Sequence, residues 1–318
     1  MREEQTRIFK GLWSAMFTPV DASGVPAINE LEKLVALLMA QEQDGLYILG
    51  STGQGVLFTE AQRKLVTEKV TELVAGRLPV MVQVGALTTA ESVRLAKHAR
   101  DCGANAISSV GPIYFSGNTT SALFHYSEIA GATELPFFPY QLGNNTMGDI
   151  PQFIDRLLEI PNVAGMKLTT GQLMEISAIH LHAGNRLKLF SGADELMCHA
   201  SLCGTVGAIG SFYNLWGVAC KRVLESFRNG DYELAKNFML EFQRTILYVL
   251  PNIWSFFRKA MQLKYDIEIG ATKAPLGVQQ RIWSDGEVME ISDRIESLAG
   301  LMPVFKNQDP VSLNGMGN

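Results

Sequence analysis

Two hydrophobic patterns alternate between residue 10 and about residue 210. Short, continuous apolar runs predict strands at Leu12–Phe17, Gly45–Leu49, Val80–Val84, Ala106–Val110, Pro136–Tyr140, Val163–Lys167, Lys188–Ser191 and Gly204–Ile209. Several show no inside–outside alternation, which marks strands buried on both faces, as in a parallel sheet. Amphipathic stretches lie between them. In Asn29–Gln43 the apolar residues Leu31, Leu34, Val35, Leu38 and Met39 recur with a 3.6-residue period and predict a helix. Thr59-Glu-Ala-Gln62 and Thr88-Thr-Ala-Glu91 have the capping-box pattern and place two helix starts. Gly76 and Gly103 fit helix ends.

Eight strands alternating with helices fit either a doubly wound sheet or a closed barrel. The strand ends, near residues 17, 50, 85, 110, 140, 167, 191 and 210, are evenly spaced without a long insertion. That favours a TIM (β/α)8 barrel. A GxGxxG turn after the first strand is absent, which weakens the dinucleotide-binding alternative. From about residue 213 to 300 the pattern is helical only, with long stretches at Ala219–Phe227, Asp231–Leu250 and Ile253–Leu263. Residues 9–212 are therefore expected to supply the barrel's strands and helices. Residues 213–302 would form the last barrel helix and a C-terminal helical extension. Residues 303–318, rich in Pro, Asn and Gly, read as a mobile tail.

Composition adds exclusions. The 318 residues are 47% hydrophobic and 19% charged, enough apolar material for a large core and too little charge for general disorder. Lys+Arg 27 against Asp+Glu 32 leaves a net charge of −5, without the basic footprint of a nucleic-acid binder. No apolar run approaches a membrane span, and the first residues lack the apolar stretch of a secretory signal. Cys102, Cys198, Cys203 and Cys220 form no CxxC pair and lie in apolar, helix-like segments. They read as buried thiols in a reducing, cytoplasmic setting. The five histidines form no HExxH, and no metal site is expected.

A TIM barrel carries its reactive groups at the C-terminal ends of its strands. Six such ends supply candidates: Gly50-Ser-Thr-Gly-Gln-Gly55, Gly111-Pro-Ile-Tyr-Phe115, Tyr140, Lys167-Leu-Thr-Thr170, Ser191-Gly-Ala-Asp-Glu195 and Gly210-Ser-Phe-Tyr-Asn214. Lys167 closes an otherwise apolar strand. Burial disfavours an ammonium, and a neutral amine attacks a carbonyl to form a Schiff base. The competing reading is a strand-end lysine whose head reaches water. Tyr140 is either a proton shuttle or an interfacial tyrosine with a wet tip. Gly50-Ser-Thr-Gly53 offers backbone N–H groups and two hydroxyls suited to a carboxylate, or is simply a Gly/Ser turn. Asp194 and Glu195 are acceptors for sugar hydroxyls, or the acidic first turn of a helix.

Together, GSTG, a tyrosine ending strand five, GxK ending strand six, SGxDE and GSxYN resemble the N-acetylneuraminate lyase and dihydrodipicolinate synthase superfamily over about residues 9–300. The resemblance implies a cofactor-free homotetramer of TIM barrels that acts on a small 2-oxo acid. Lys167 would form the Schiff base, Tyr140 would be the general acid/base, and Ser51 and Thr52 would hold the carboxylate. Tyr114 matches a tyrosine that reaches a neighbouring protomer's site. Thr169, Gly192, Asp194, Glu195 and Ser211 match the lyase branch's sugar contacts. The synthase branch carries an arginine shortly after the strand-five tyrosine. Here the stretch is Gln141-Leu-Gly-Asn-Asn-Thr-Met-Gly148, and the next arginine is Arg156, in a helical pattern. The implied reaction is cleavage of N-acetylneuraminate to pyruvate and N-acetylmannosamine. Two departures bear on the substrate: Gln54 stands where GSTGE is usual, and Gln-Leu-Gly follows the tyrosine where x-x-Pro is common. The rival readings are an aldolase or dehydratase of another 2-oxo sugar acid, and a non-catalytic barrel that binds a sugar acid.

Overall fold

The computed structural model describes residues 6–115, 118–142, 147–277 and 280–302. Eight parallel strands close into a barrel: β1 (Gly11–Ala15), β2 (Gly45–Ile48), β3 (Val80–Gln83), β4 (Ala106–Val110), β5 (Phe137–Leu142), β6 (Gly165–Thr169), β7 (Lys188–Ser191) and β8 (Gly207–Gly210). Each strand pairs with the next, and β8 returns to β1 with Trp13 opposite Ile209. Around the barrel run α1 (Ile28–Ala40), α2 (Glu60–Val74), α3 (Thr89–Asp101), α4 (Thr119–Ala130), α5 (Ile150–Leu158), α6 (Leu173–Ala183), α7 (Met197–Leu202) and α8 (Tyr213–Arg228). The architecture is the predicted TIM barrel.

Local chemistry explains the boundaries. Thr59 and Gln62 form the full capping box of α2, and Thr88 accepts the Glu91 N–H at 3.2 Å to start α3. Gly76 and Gly103 follow the ends of those helices at φ +72° and +80°. Two strands differ from expectation. β6 begins at Gly165 and runs on to Thr169, so Lys167 lies in mid-strand, opposite Tyr140 and Phe190. Val163 makes only an isolated bridge to Phe137. β8 begins three residues later than predicted, because residues 203–204 finish the turn after α7.

The lower barrel interior is a plug of Phe9, Trp13, Met81, Phe138, Phe190 and Ile209. Phe9 seals it, with its ring 4.9 Å from that of Phe138. Above the plug the interior turns polar, with Tyr47, Ser108, Tyr140 and Lys167 all buried. The outer strand faces pack against the helices in one continuous apolar cluster. The site thus rests on a rigid aromatic floor.

The chain continues through α9 (Tyr232–Val249), α10 (Ile253–Tyr265) and α11 (Asp285–Leu298). The expectation of helix throughout 213–300 fails between α10 and α11. The described residues from 266 to 284 are non-helical and cross the barrel edge, where Val20 N–H bonds Ile269 O at 3.2 Å. The tail assigned to 303–318 lies outside the described residues. α8 is kinked at Trp216 (φ −123°, ψ 33°). The Leu215 carbonyl at this kink accepts the Tyr265 hydroxyl at 2.7 Å and Lys264 Nζ at 3.4 Å, both from α10. Lys264 also pairs with Glu296 of α11, and both side chains are almost fully buried. Lys264→Met would leave the Glu296 carboxylate buried and uncompensated. The expected loss is about 3–5 kcal/mol of unfolding free energy, read as a lower midpoint in urea denaturation. Among the described residues, no helix is long and apolar enough to cross a membrane.

Candidate active site

Lys167 is 4% exposed, so its head does not reach bulk water. Nζ sits 4.4 Å from the ring centroid of Tyr47 and 4.3 Å from that of Tyr140. The two rings meet edge to face, at 83° and 6.2 Å between centroids. They shield the amine and offer it only π faces, and no described carboxylate is in ion-pair range. A Cβ on Gly192 would overlap the Thr169 hydroxyl and press on Lys167 Cε at 3.0 Å, so glycine is what leaves the lysine room. The Tyr140 hydroxyl lies 3.2 Å from Thr169 Oγ1. The Lys167 amine, the Tyr140 phenol and the Thr169 hydroxyl therefore share one corner at the upper ends of β5 and β6.

The turn after β2 faces the same mouth. Its N–H groups at Gln54 and Gly55 close onto the carbonyls of Ser51 and Gly50, both at 3.1 Å. Those of Ser51, Thr52 and Gly53 donate to no described residue. Three adjacent N–H groups of this turn are thus left without a described acceptor. Thr52 is buried, with its Oγ1 2.6 Å from Ser211 Oγ, over the end of the intervening β1, while Ser51 is exposed. Gln54 keeps the turn in place, because its Oε1 accepts the Lys273 N–H at 2.7 Å.

Asp194 opens a short 3₁₀ turn, Asp194–Leu196, and is 6% exposed. Its Oδ2 accepts the Phe212 N–H at 2.7 Å and so staples the β7 loop to the β8 loop. Glu195 is half-buried, and its carbonyl accepts Gln243 Nε2 at 2.9 Å. The Asp194 carboxyl is raised to about 7, chiefly by burial and also by Glu195, against the opposing pull of the Phe212 N–H, Lys167 and the Ser211 N–H. In the unfolded chain the same group titrates near 3.8. Between those two values the folded chain keeps a proton that the unfolded chain releases. Stability therefore falls as pH rises through that window and is level above it. Asp194→Asn keeps an acceptor for Phe212 and removes the titration. Its urea-unfolding free energy is expected to lack that slope and to exceed the wild type's by on the order of 3 kcal/mol at about pH 8.

Tyr114 stands on the rim, 81% exposed, beside Phe115 at 79%. Within one chain it does not join Lys167. Two buried residues of the site were not among the sequence candidates: Tyr47 forms a wall of the lysine pocket, and Gln83 lines the cleft with Ser51 and Tyr140. Asn214, at the end of the β8 candidate stretch, donates to Ala15 O at 2.7 Å. Gln83 carries the signal that singled out Lys167, a polar residue in an apolar strand. Asn214 closes the GSxYN motif. Tyr47, in a fully buried strand, gives no such signal. His125 is a core residue, its pKa lowered by burial to about 4 and its ring nitrogens bonded to Thr89 and Ser109. All four cysteines are free, but Cys102 and Cys203 are only half-buried, because each sits at a helix end open to solvent. Cys102 also comes close to His98 and Glu68, which are joined at 2.8 Å.

The N-acetylneuraminate lyase 2 of Escherichia coli O6:H1 (strain CFT073) is 34% identical over 241 residues, 75% of this chain and 78% of that protein. The N-acetylneuraminate lyase of Salmonella agona is 31% identical over 275 residues, 85% and 92% of the two chains. The crystal structure of N-acetylneuraminate lyase from Mycoplasma synoviae superposes with a TM-score of 0.81 at 26% identity, covering 92% of this chain and 99% of that one. Residues 8–270 match the model of the dihydrodipicolinate synthetase family. With these relatives, and a lysine seated inside a closed eight-stranded barrel, the chain belongs to the dihydrodipicolinate synthetase family.

Proposed function

We propose that this protein is a Schiff-base aldolase that cleaves N-acetylneuraminate reversibly to pyruvate and N-acetylmannosamine. The observation that carries the reading is the Lys167 amine, buried between two tyrosine rings at the mouth of the barrel with no carboxylate partner. The names of the relatives support the substrate. Lys167 attacks C2 of the open-chain sugar acid and water leaves, forming an iminium. The three free N–H groups of residues 51–53, with the Ser51 and Thr52 hydroxyls, suit the carboxylate. Tyr140, beside Thr169, relays the proton from the C4 hydroxyl as the C3–C4 bond breaks. The bond's electron pair moves into the iminium and leaves an enamine, and the sugar departs as an aldehyde. Protonation at C3 and hydrolysis free pyruvate and restore the lysine.

The fixed donors of the mouth stabilise the charge that develops, and the scheme calls for no cofactor beyond the covalent lysine. Thr169 and Gly192 border this corner; they are assigned to the sugar together with Glu195, Ser211 and Asp194, the last of which also holds the β7 and β8 loops together. The exposed Tyr114–Phe115 pair supports assembly with further copies of the chain, taken as a homotetramer in which Tyr114 reaches a neighbour's site. Four free thiols suit a reducing, cytoplasmic setting.

The test is borohydride reduction with N-acetylneuraminate as the sole ligand, followed by peptide mass analysis. A pyruvyl adduct on Lys167 is expected, reporting imine formation and C–C cleavage together. A whole-sugar adduct would point to a dehydratase or sister aldolase. No adduct with either this sugar or pyruvate would leave a non-catalytic barrel.

A further inference from the structure

The sequence has no HExxH, but His98-Ala-Arg-Asp-Cys102 sets two ligand types at the same i, i+4 spacing. α3 ends at Asp101, and the Cys102 N–H still donates to the His98 carbonyl at 3.0 Å. The two side chains therefore lie one turn apart on one face of the helix. Cys102 Sγ is 3.7 Å from both ring nitrogens of His98. Glu68, on the neighbouring α2, meets the same ring, with Oε1 2.8 Å from Nε2. One turn earlier on α3, Arg94 Nη2 bonds Glu60 Oε2 of α2 at 2.7 Å, which holds the two helices within reach of each other. Among the described residues, Glu68, His98 and Cys102 are the one group of three His, Cys, Asp or Glu side chains whose ligand atoms all lie within 4.8 Å of one another.

A carboxylate, an imidazole and a thiolate are ligand types that zinc takes. At its usual bond lengths, the ligands of a tetrahedral zinc stand roughly 3.3–3.6 Å apart. The sulfur–nitrogen spacing is already close to that. The carboxylate must open from the ring by about half an ångström, and the Glu68 side chain, 53% exposed, has room on its solvent side. Cys102 is half-buried and the His98 side chain is 19% exposed, so an ion from solvent reaches the group without entering the core. Among the described residues, Glu68 makes no ion pair with a lysine or arginine. Lys69 and Arg100 are turned to Glu72 and Asp101, at 2.8 and 2.7 Å.

We propose that Glu68, His98 and Cys102 form a binding site for a divalent cation of the zinc class, with water as a further ligand, that clips α2 to α3. The ion bonds one Glu68 oxygen, Cys102 Sγ and the neutral imidazole at Nε2, with the ring proton on Nδ1. It replaces the thiol proton, which passes to solvent, and the hydrogen bond between His98 and Glu68. Magnesium and calcium take oxygen ligands, so this donor set selects against them. α3 ends where the chain turns into the start of β4, which places the clip toward the face of the barrel opposite its mouth. It is a structural site, separate from the chemistry of Lys167.

Cobalt(II) is the probe, because its bond to a thiolate gives an intense near-ultraviolet charge-transfer absorption that nitrogen and oxygen ligands alone do not give. Titrated into the metal-free full-length protein, it is expected to produce that band at one ion per chain, and added zinc to remove it. Cys102→Ser is expected to lose the band, whereas Cys203→Ser, at the other half-buried thiol, keeps it. Glu68→Gln is expected to raise the cobalt Kd about tenfold or more. In the unmodified chain, where no variant has to fold, zinc is expected to slow alkylation of Cys102 and not of Cys203, read by peptide mass. The site is overturned by a titration without the band, or by a band that survives Cys102→Ser or vanishes in Cys203→Ser. An unchanged Kd in Glu68→Gln, or equal labelling of Cys102 with and without zinc, overturns it as well.

Discussion

Lys167→Ala is expected to abolish borohydride trapping and to lower kcat/KM for cleavage by about 10⁴-fold or more. No neighbouring amine can substitute, because the pocket is walled by Tyr47, Tyr140 and Thr169, none of which forms an imine. The same position carries a second expectation. An amine held between ring faces, with no carboxylate partner, is an expensive occupant of a barrel interior. Lys167→Met fills that space with an apolar chain and is expected to raise the thermal midpoint while removing activity. Calorimetry on the inactive variant checks this directly. A variant both dead and less stable would mean that the lysine supports the fold, and the nucleophile would have to be sought elsewhere.

Tyr140→Phe separates imine formation from bond cleavage. The ring over Lys167 remains, so pyruvate should still be trapped at a rate within a few-fold of the unmodified protein. The hydroxyl beside Thr169 is lost, and with it the relay proposed for the C4 proton. Cleavage is expected to fall by about 10²–10⁴-fold. Single-turnover mixing with N-acetylneuraminate, quenched with borohydride, should then accumulate the whole-sugar adduct in place of the pyruvyl one. Full cleavage activity in this variant would remove Tyr140 from the reaction.

Much of this was legible along the chain, for a physical reason. Parallel strands buried on both faces leave continuous apolar runs, so eight of them could be counted, and a polar residue inside one stands out. Lys167 was found that way. The same logic would have reached Gln83. Tyr47 was hidden because an aromatic residue in a buried strand is ordinary until its neighbours are known. The carboxylate of Asp194 was visible but its work was not: its bond to the Phe212 N–H joins loops 18 residues apart. The non-helical crossing between α10 and α11 was missed because its pairing with Val20 and Gln54 is entirely long-range. The β6 limit was misread because Lys167 resembles a terminus in a hydropathy pattern, although the backbone ladder continues two residues further.

The bond from the Lys273 N–H to Gln54 joins residues 219 positions apart. Translation runs in one direction, so the turn after β2 leaves the ribosome long before the residue that ties it down. A nascent chain already carrying all eight strands still lacks this tether, along with the Lys264 and Tyr265 contacts that hold the kink of α8. The contacts that fix the mouth of the barrel are therefore completed only when residues 264–273 are available. Chains cut off shortly after β8 would lack the bond from Lys273 that holds the turn after β2.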